Sequence, residues 1–354
     1  MNILAYNWRD LAHPRAGGAE VYLQSVAREW VAGGHEVTIF CAAVDRHPEY
    51  DEWEGVHIVR RGSRLGVYRE ARRYWEETAK AKTDLVVDSV NTRPFMTPRF
   101  VRDVPAVAIF HQLAREIWFA ETPLPVAVLG RYVLEPKWLR LYREFPVATV
   151  SQSSRESLER YGVRQVTVIP EGFEPFVRPR TPKESRPTLV FLGRLSANKR
   201  PDHAVDAFRI IRTQLPEAQM WVIGDGPMRV RLERSAPPGV AFLGRVNDED
   251  KYDRLARAHL LVATSIREGW GLGVTEAAYV GTPAVGYDVP GLRDSVAAHG
   301  GAAVAPSPEA LAARAALVLT NETPLSASAG EGAVRSWGEV AGRLLAIASA
   351  GAAR

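Results

Sequence analysis

The segment Arg267–Gly286 carries two carboxylates, Glu268 and Glu276, among glycines at 269, 271 and 273. It follows the apolar run 260–264, so the glycines fall in a strand-to-helix turn and the first turn of the next helix. Unpaired backbone N–H groups and the positive end of a helix dipole suit a phosphate or sugar hydroxyls at such a turn. Carboxylates accept from the vicinal hydroxyls of a hexose or a ribose. The spacing places Glu268 on the loop and Glu276 on the helix. A Gly-rich turn with two solvated glutamates is the plainer reading of the same residues.

Three further groups have types and positions that could serve the same chemistry. Arg194 and Lys199 bracket the loop after the apolar run 188–192. Both cations can reach one point beyond the sheet edge there and match the charge of a diphosphate leaving group. The run Gly17-Gly18-Ala19-Glu20 opens the first helix, and a glycine pair permits close approach by an anionic ligand. It lacks the GxGxxG spacing and sits well beyond the strand, which disfavours a nicotinamide-type dinucleotide fingerprint. His111 directly follows the apolar run 106–110, which puts an imidazole at a carboxyl strand end, although a lone histidine is more often structural.

The elements that must position these residues alternate. Residues 2–6 read as a buried strand, 20–32 as an amphipathic helix ended by Gly33-Gly34, and 35–40 as the next strand. Further strands are expected at 56–59, 84–88, 106–110, 147–150 and 166–169. The Pro-rich stretch 171–187 has no periodicity and reads as a linker. Alternation then restarts, with strands at 188–192, 219–223, 240–243, 260–264 and 283–286 and helices at 200–214, 228–235, 248–258 and 274–280. The fold class expected is α/β, two Rossmann-like doubly wound domains in succession. Ligands of such sheets sit at the carboxyl ends of strands, and here also in the cleft between domains. A last amphipathic helix is expected from residue 336.

The chain has 354 residues, 46% hydrophobic and 24% charged, which fits a globular protein of two domains and excludes disordered and collagenous classes. Its one cysteine, Cys41, excludes an internal disulfide and Cys-based metal sites. No signal peptide and no apolar run long enough to span a bilayer is read, so a cytoplasmic protein is expected. Formal charge is +4, from 45 basic against 41 acidic residues, and neither half is a polycation of the kind nucleic acid selects.

Taken together, Gly17-Gly18-Ala19-Glu20, His111, Phe191-Leu-Gly-Arg-Leu with Lys199, Gly224-Asp-Gly-Pro, Phe242-Leu-Gly-Arg-Val and Glu268-x7-Glu276 resemble the retaining glycosyltransferases of family 4. The resemblance covers nearly the whole chain in the right order. It implies the GT-B fold, with an acceptor-side domain over 1–172, a nucleotide-sugar donor domain over 173–335 and the segment 336–354 crossing back onto the first domain. By matching motif it implies that Arg194 and Lys199 hold the donor diphosphate and that Glu276 binds the ribose. Glu268 and the backbone of Gly269, Trp270, Gly271 and Leu272 would hold the donor sugar. Gly17 and Gly18 would approach the phosphates, His111 would contact the sugar near the reacting centre, and Val246 would meet the base through its main chain. Trp270 stands where the family more often has Phe, which leaves a backbone role intact. The resemblance implies front-side attack with retention, no metal and no cofactor beyond the nucleotide sugar, a UDP-sugar first and a GDP-sugar next.

Other signals are set aside or left open. Asp248-Glu-Asp250 has D-x-D spacing, but helix capping with acidic residues in the first turn explains it. The basic stretch 60–82 reads as a solvated face or, alternatively, as contact with anionic lipid at the inner membrane face or with an anionic acceptor. The aromatic and Arg-rich segment from Trp118-Phe119 to Trp138–Arg143 is a candidate acceptor wall, with buried packing as its rival. The function expected is transfer of a hexose-type sugar to an unidentified small aglycone, glycan or lipid-linked acceptor. A GT-B-like sugar-nucleotide 2-epimerase and a non-catalytic nucleotide-sugar-binding protein are the alternatives.

Overall fold

The computed structural model describes every residue except 175, 178, 180, 329–334 and 353–354, with the side chains of 351 and 352 also set aside. Parts of the expected linker, the end of the expected donor domain and the last two residues of the tail therefore lie outside the described residues. The chain divides into two compact units. The first comprises Met1–Arg115, Pro125–Glu174 and Arg335–Arg354; the second comprises Glu116–Leu124 and Pro175–Val334.

The first unit is built on an eight-stranded sheet. Its strands are β1 (Asn2–Tyr6), β2 (Glu36–Cys41), β3 (Tyr50–Trp53), β4 (Val56–Arg60), β5 (Leu85–Val90), β6 (Ala106–Phe110), β7 (Val147–Thr149) and β8 (Val166–Val168). Their order is β3-β4-β2-β1-β5-β6-β7-β8, parallel except for the antiparallel β3–β4 pair. β3 was not foreseen: Tyr-Asp-Glu-Trp is exposed throughout and has no apolar alternation to announce it. The inner strands read clearly because a parallel sheet buries both faces, as in β5 and β6, whose residues are all buried.

The helix Trp337–Ala352 belongs to this unit. Trp337 meets Tyr22 edge-on with ring centroids 5.4 Å apart, and Trp30 donates from Nε1 to the Ala341 carbonyl at 3.1 Å. Gly172 faces the Trp337 ring so closely that an added Cβ would fall 2.5 Å from it.

In the second unit six parallel strands, β9 (Thr188–Leu192), β10 (Gln219–Ile223), β11 (Val240–Gly244), β12 (Leu260–Ala263), β13 (Ala284–Tyr287) and β14 (Ala302–Val304), take the order β11-β10-β9-β12-β13-β14. The Ala-rich tract near 302–317 forms β14 and most of the helix Pro308–Leu319, which Ser307 caps and which buries Leu311, Ala312 and Ala315. In both units the order reverses beside the first strand, at β1/β5 and at β9/β12. Those reversals are the switch points where ligands of open α/β sheets bind.

Residues 116–124 fall inside the expected first domain but group with the second unit. A charge pair lies within that grouping: the buried Arg267 donates from Nε to Glu116 Oε2 at 3.0 Å.

Candidate functional site

In the second unit the loops after β9 and β12 meet at the switch point. The β9 loop runs through Arg194 into a short 3-10 turn, Ala197–Lys199, and the helix Pro201–Gln214. Backbone bonds shape it: Gly193 N donates to Ile223 O at 3.0 Å and Leu195 N to Asp225 O at 3.0 Å. Gly224-Asp-Gly-Pro is the floor of this loop. Gly224 has φ +129°, and a Cβ there would sit 2.0 Å from the Gly193 carbonyl, so no other residue fits. Arg194, half-buried, lies two residues past β9.

The β12 loop is stitched to the β9 loop. Ile266 N donates to Asn198 O at 2.9 Å, and Thr264 Oγ1 reaches the carbonyls of Lys199 and Arg200 at 2.9 and 2.7 Å. Glu268 Oε1 accepts from Lys199 Nζ and from Ser265 Oγ, the latter at 2.6 Å. Gly291 backs the Glu268 carbonyl so tightly that a Cβ would lie 2.1 Å from it. Lys199 and Glu268, expected from separate motifs with separate partners, are thus brought together as an ion pair. Ser265 is part of this cluster and was missed; its only signal is its position three residues before Glu268.

Gly271, with φ +98°, is the N-cap of the helix Leu272–Tyr279. Gly269 is half-buried on the turn and Leu272 is the first helical residue. The Trp270 side chain turns into the protein: its Nε1 donates to Thr275 Oγ1 at 2.9 Å, and that oxygen lies 2.9 Å from His299 Nε2. Burial holds the His299 imidazole below its usual range, against the hydrogen bond to the Ser328 carbonyl. Trp270 can therefore serve a ligand only through its backbone.

Glu276 stands on the same helix, where Lys251 Nζ donates to its Oε1 at 2.7 Å and the Tyr252 hydroxyl lies 3.4 Å away. Burial works against the Lys251 charge, but Glu276 and Asp248 outweigh it and raise the ammonium above its usual range. Nothing in the sequence pointed to Lys251, because its partner lies 25 residues on. The D-x-D run is explained by capping, although the cap is the preceding Asn247, which accepts from Asp250 N at 2.7 Å, while Asp248 pairs with Lys251 at 2.8 Å. Val246, just past β11, is half-buried against the apolar core. Among the described residues no group of three or more His, Cys, Asp and Glu side chains could hold a metal ion.

In the first unit His111 follows β6 and is 4% exposed. Its Nε2 lies 3.0 Å from Ser89 Oγ, and its ring packs edge-on against Tyr22 at 5.0 Å. Burial pulls the imidazole down to about 3, so it is neutral at physiological pH, and its Nδ1 is buried with no hydrogen-bond partner. A buried nitrogen left unbonded is costly.

Gly17 is the N-cap of the helix Gly18–Ala32, and its N–H donates to Glu20 Oε2 at 2.7 Å. That bond removes one of the amides expected to face a phosphate. A Cβ on Gly17 would meet only Glu20 Oε2, at 3.7 Å, so the space beside it is open. Glu20 is buried and also accepts from Arg9 Nε at 3.1 Å and Asn91 Nδ2 at 2.9 Å. Desolvation raises its pKa, opposed by Arg9 and the backbone N–H bonds.

The two open candidates fare unevenly. In the basic stretch Arg60 is buried, paired with Asp10 at 2.6 Å and Asp51 at 2.9 Å, so it is not part of a solvated face. Arg61, Arg72, Arg73 and Lys80 pair with Glu49, Glu76, Glu77 and Asp103. The aromatic segment is divided between the two units. Trp118 and Phe119 lie in the second unit, whereas Leu139 and Tyr142 are core residues of the first, with the Tyr142 hydroxyl donating to the buried Asp88 at 2.5 Å. Among the described residues no helix is long and apolar enough to cross a membrane.

Comparison with known proteins agrees with this geometry. Residues 16–175 match the family described as Glycosyltransferase Family 4, and residues 173–335 match Glycosyl transferases group 1. The chain is 28% identical over 318 residues to a GDP-mannose-dependent alpha-(1-6)-phosphatidylinositol dimannoside mannosyltransferase of Mycobacterium tuberculosis, covering 84% of this chain and 83% of that one. It is 28% identical over 334 residues to a mannosylfructose-phosphate synthase of Agrobacterium fabrum, covering 77% and 73%. Among solved structures, sucrose-phosphate synthase from Thermosynechococcus elongatus shares the fold, with a TM-score of 0.74 at 18% identity over 99% of this chain and 96% of that one. With one match over each half, the chain belongs to the group 1 and family 4 glycosyltransferases of GT-B fold and uses a nucleotide sugar.

Proposed function

We propose that the protein transfers a hexosyl group from a nucleoside diphosphate sugar to a hydroxyl acceptor with retention of anomeric configuration and without a metal ion. The observation that carries this reading is the Lys199–Glu268–Ser265 cluster at the β9/β12 switch point. An ammonium has three donors, so Lys199 can hold Glu268 and a diphosphate oxygen together. Arg194 would bind the same diphosphate, and the two cations would neutralise charge as the glycosyl–phosphate bond breaks. In this reading Glu268 and the Gly269–Leu272 backbone hold the sugar hydroxyls, Glu276 the ribose, and the Val246 main chain the base. The orphaned His111 Nδ1 would accept from a sugar hydroxyl, and the backbone at Gly17 and Gly18 would pass close to the phosphates.

Retention then follows from front-side attack, in which the departing phosphate takes the acceptor proton. No side chain is given the part of nucleophile. For the base, uridine stands first by family frequency, and the GDP-mannose-dependent relative brings guanosine beside it. The test is incubation of the full chain with UDP- and GDP-hexoses, with chelator present, against a panel of hydroxyl acceptors. Release of one nucleoside diphosphate and an axial or equatorial product linkage matching the donor, read by NMR coupling, is the expected result. An inverted product, or turnover that requires added metal, overturns this reading.

A further inference from the structure

A second charged cluster stands at the carboxyl ends of the first unit's strands, and the roles proposed above leave it unused. Trp8 and Arg9 follow β1, Arg64 follows β4, and Arg93 follows β5. The Arg9 and Arg64 guanidinium carbons lie 4.6 and 5.6 Å from the Trp8 ring centroid. Arg93 lies 4.0 Å from the Tyr68 ring and 5.8 Å from that of Trp138, with its Nε buried and without a hydrogen-bond partner. Arg9 is held by Glu20, but no carboxylate among the described residues pairs with Arg64 or Arg93. Burial pushes the Tyr68 phenol up to about 12; Arg93, Arg64 and Arg9 pull it down, and the buried Asp88 adds to the rise.

The nearby groove gives the contrast. It encloses about 550 Å³ and is lined by Glu49, Arg60, Arg61, Glu70, Arg73 and Glu77, yet its arginines are matched by carboxylates. A guanidinium cannot shed its charge, so Arg93, unmatched, part-desolvated and packed between the Tyr68 and Trp138 rings, is poised for an anion that arrives from outside, with the exposed Arg64 free to join it.

We propose that Arg9, Arg64 and Arg93, framed by Trp8, Tyr68 and Trp138, receive a phosphate group carried by the acceptor, as the monoester of a sugar phosphate or the diester of a net-anionic lipid headgroup. Guanidinium forks suit either, since both present paired phosphate oxygens. The proposal rests on the reading of the protein as a glycosyltransferase and names the class of its acceptor.

The test measures binding without turnover. Glucose 6-phosphate is titrated against the full chain with glucose as the neutral control, and phosphatidylcholine vesicles with and without phosphatidylinositol are used for co-sedimentation. The proteins are wild type, Arg64→Ala, Arg93→Ala and, as control, Arg72→Ala, whose arginine is exposed and paired with Glu76. Binding of either phosphate-bearing probe, weakened about tenfold or more in Arg64→Ala and Arg93→Ala but not in Arg72→Ala, is expected, and the probe that binds names the source. Arg64 is exposed, so its variant keeps the test open even where Arg93→Ala fails to fold. Binding no better than glucose or plain vesicles, or binding undiminished in Arg64→Ala, overturns the proposal. So does an equal loss of UDP and GDP binding in that variant, which would assign the arginines to the donor. Failure of wild type to bind any nucleotide would count against the glycosyltransferase reading instead.

Discussion

Replacing Glu268 by Gln separates binding from chemistry. The wild-type carboxylate accepts from Lys199 and from Ser265 Oγ, and the Glu268 and Lys199 side chains are 14% and 29% exposed. An ion pair at that depth lies between the exposed pairs that contribute about 0–1 kcal/mol and the buried ones whose breakage costs about 3–5 kcal/mol. The amide keeps the shape and an acceptor for Ser265, so a loss of about 1–2 kcal/mol is expected, a fall of a few degrees in Tm. Catalysis should suffer more. A group aimed at charge and hydroxyls of the reacting sugar costs about 100- to 1,000-fold in kcat when removed, or roughly 3–4 kcal/mol. Nucleoside diphosphate binding should hold or tighten, because Lys199 no longer shares its charge with a carboxylate. The assay pairs nucleoside diphosphate release with calorimetric binding on one preparation. Wild-type kcat in the variant, or loss of nucleotide binding alongside kcat, would refute the division of labour between Glu268 and Lys199.

Burial also makes His111 a pH-dependent cost. The native imidazole titrates near 3 and an unfolded one near 6.5, so between these values only the unfolded chain binds the proton. Stability contributed at this site therefore falls as pH drops from 6.5 toward 3, by about 1.4 kcal/mol per pH unit, and urea unfolding of His111→Asn should show a shallower acid limb. Gly224→Ala should lose its fold or at least about 3 kcal/mol by denaturant unfolding, because its Cβ would lie 2.0 Å from the Gly193 carbonyl. Trp270→Phe should cost about 1 kcal/mol in thermal unfolding by removing the indole donor to Thr275 Oγ1, yet keep its kcat, since the side chain points away from the turn.

The parts of this fold that were legible in the sequence are those that burial makes continuous. β6, β9 and β10 lie where their apolar runs begin and end, because both faces of a parallel strand are covered. β3 was not legible, since an exposed edge strand carries no such run. Nor was the grouping of segment 116–124 with the second unit, where Glu116 meets Arg267 across 151 residues of sequence. For the site, glycines that permit close backbone approach could be picked out by type, as at 224 and 271, whereas Gly291, which backs Glu268, went unread. Side-chain partners could not be picked out: Lys251 under Glu276 and Ser89 under His111 are joined by tertiary packing alone. The basic stretch misled because a count of arginines does not reveal which are matched. Arg60 turned out to be buried, and the unmatched Arg64 shares the Trp8 ring with Arg9, which stands on another loop.

The central claim is that the second unit holds a nucleoside diphosphate through Arg194 and Lys199 without a metal. Its most direct test is thermal unfolding of the protein with millimolar UDP, GDP, ADP, CDP or dTDP in the presence of a chelator. A ligand at 100 times its Kd stabilises the native state by about 2.7 kcal/mol. A rise in Tm with one diphosphate, lost in Lys199→Ala, is the predicted result. No rise with any of the five, or a rise only after metal is restored, would contradict it.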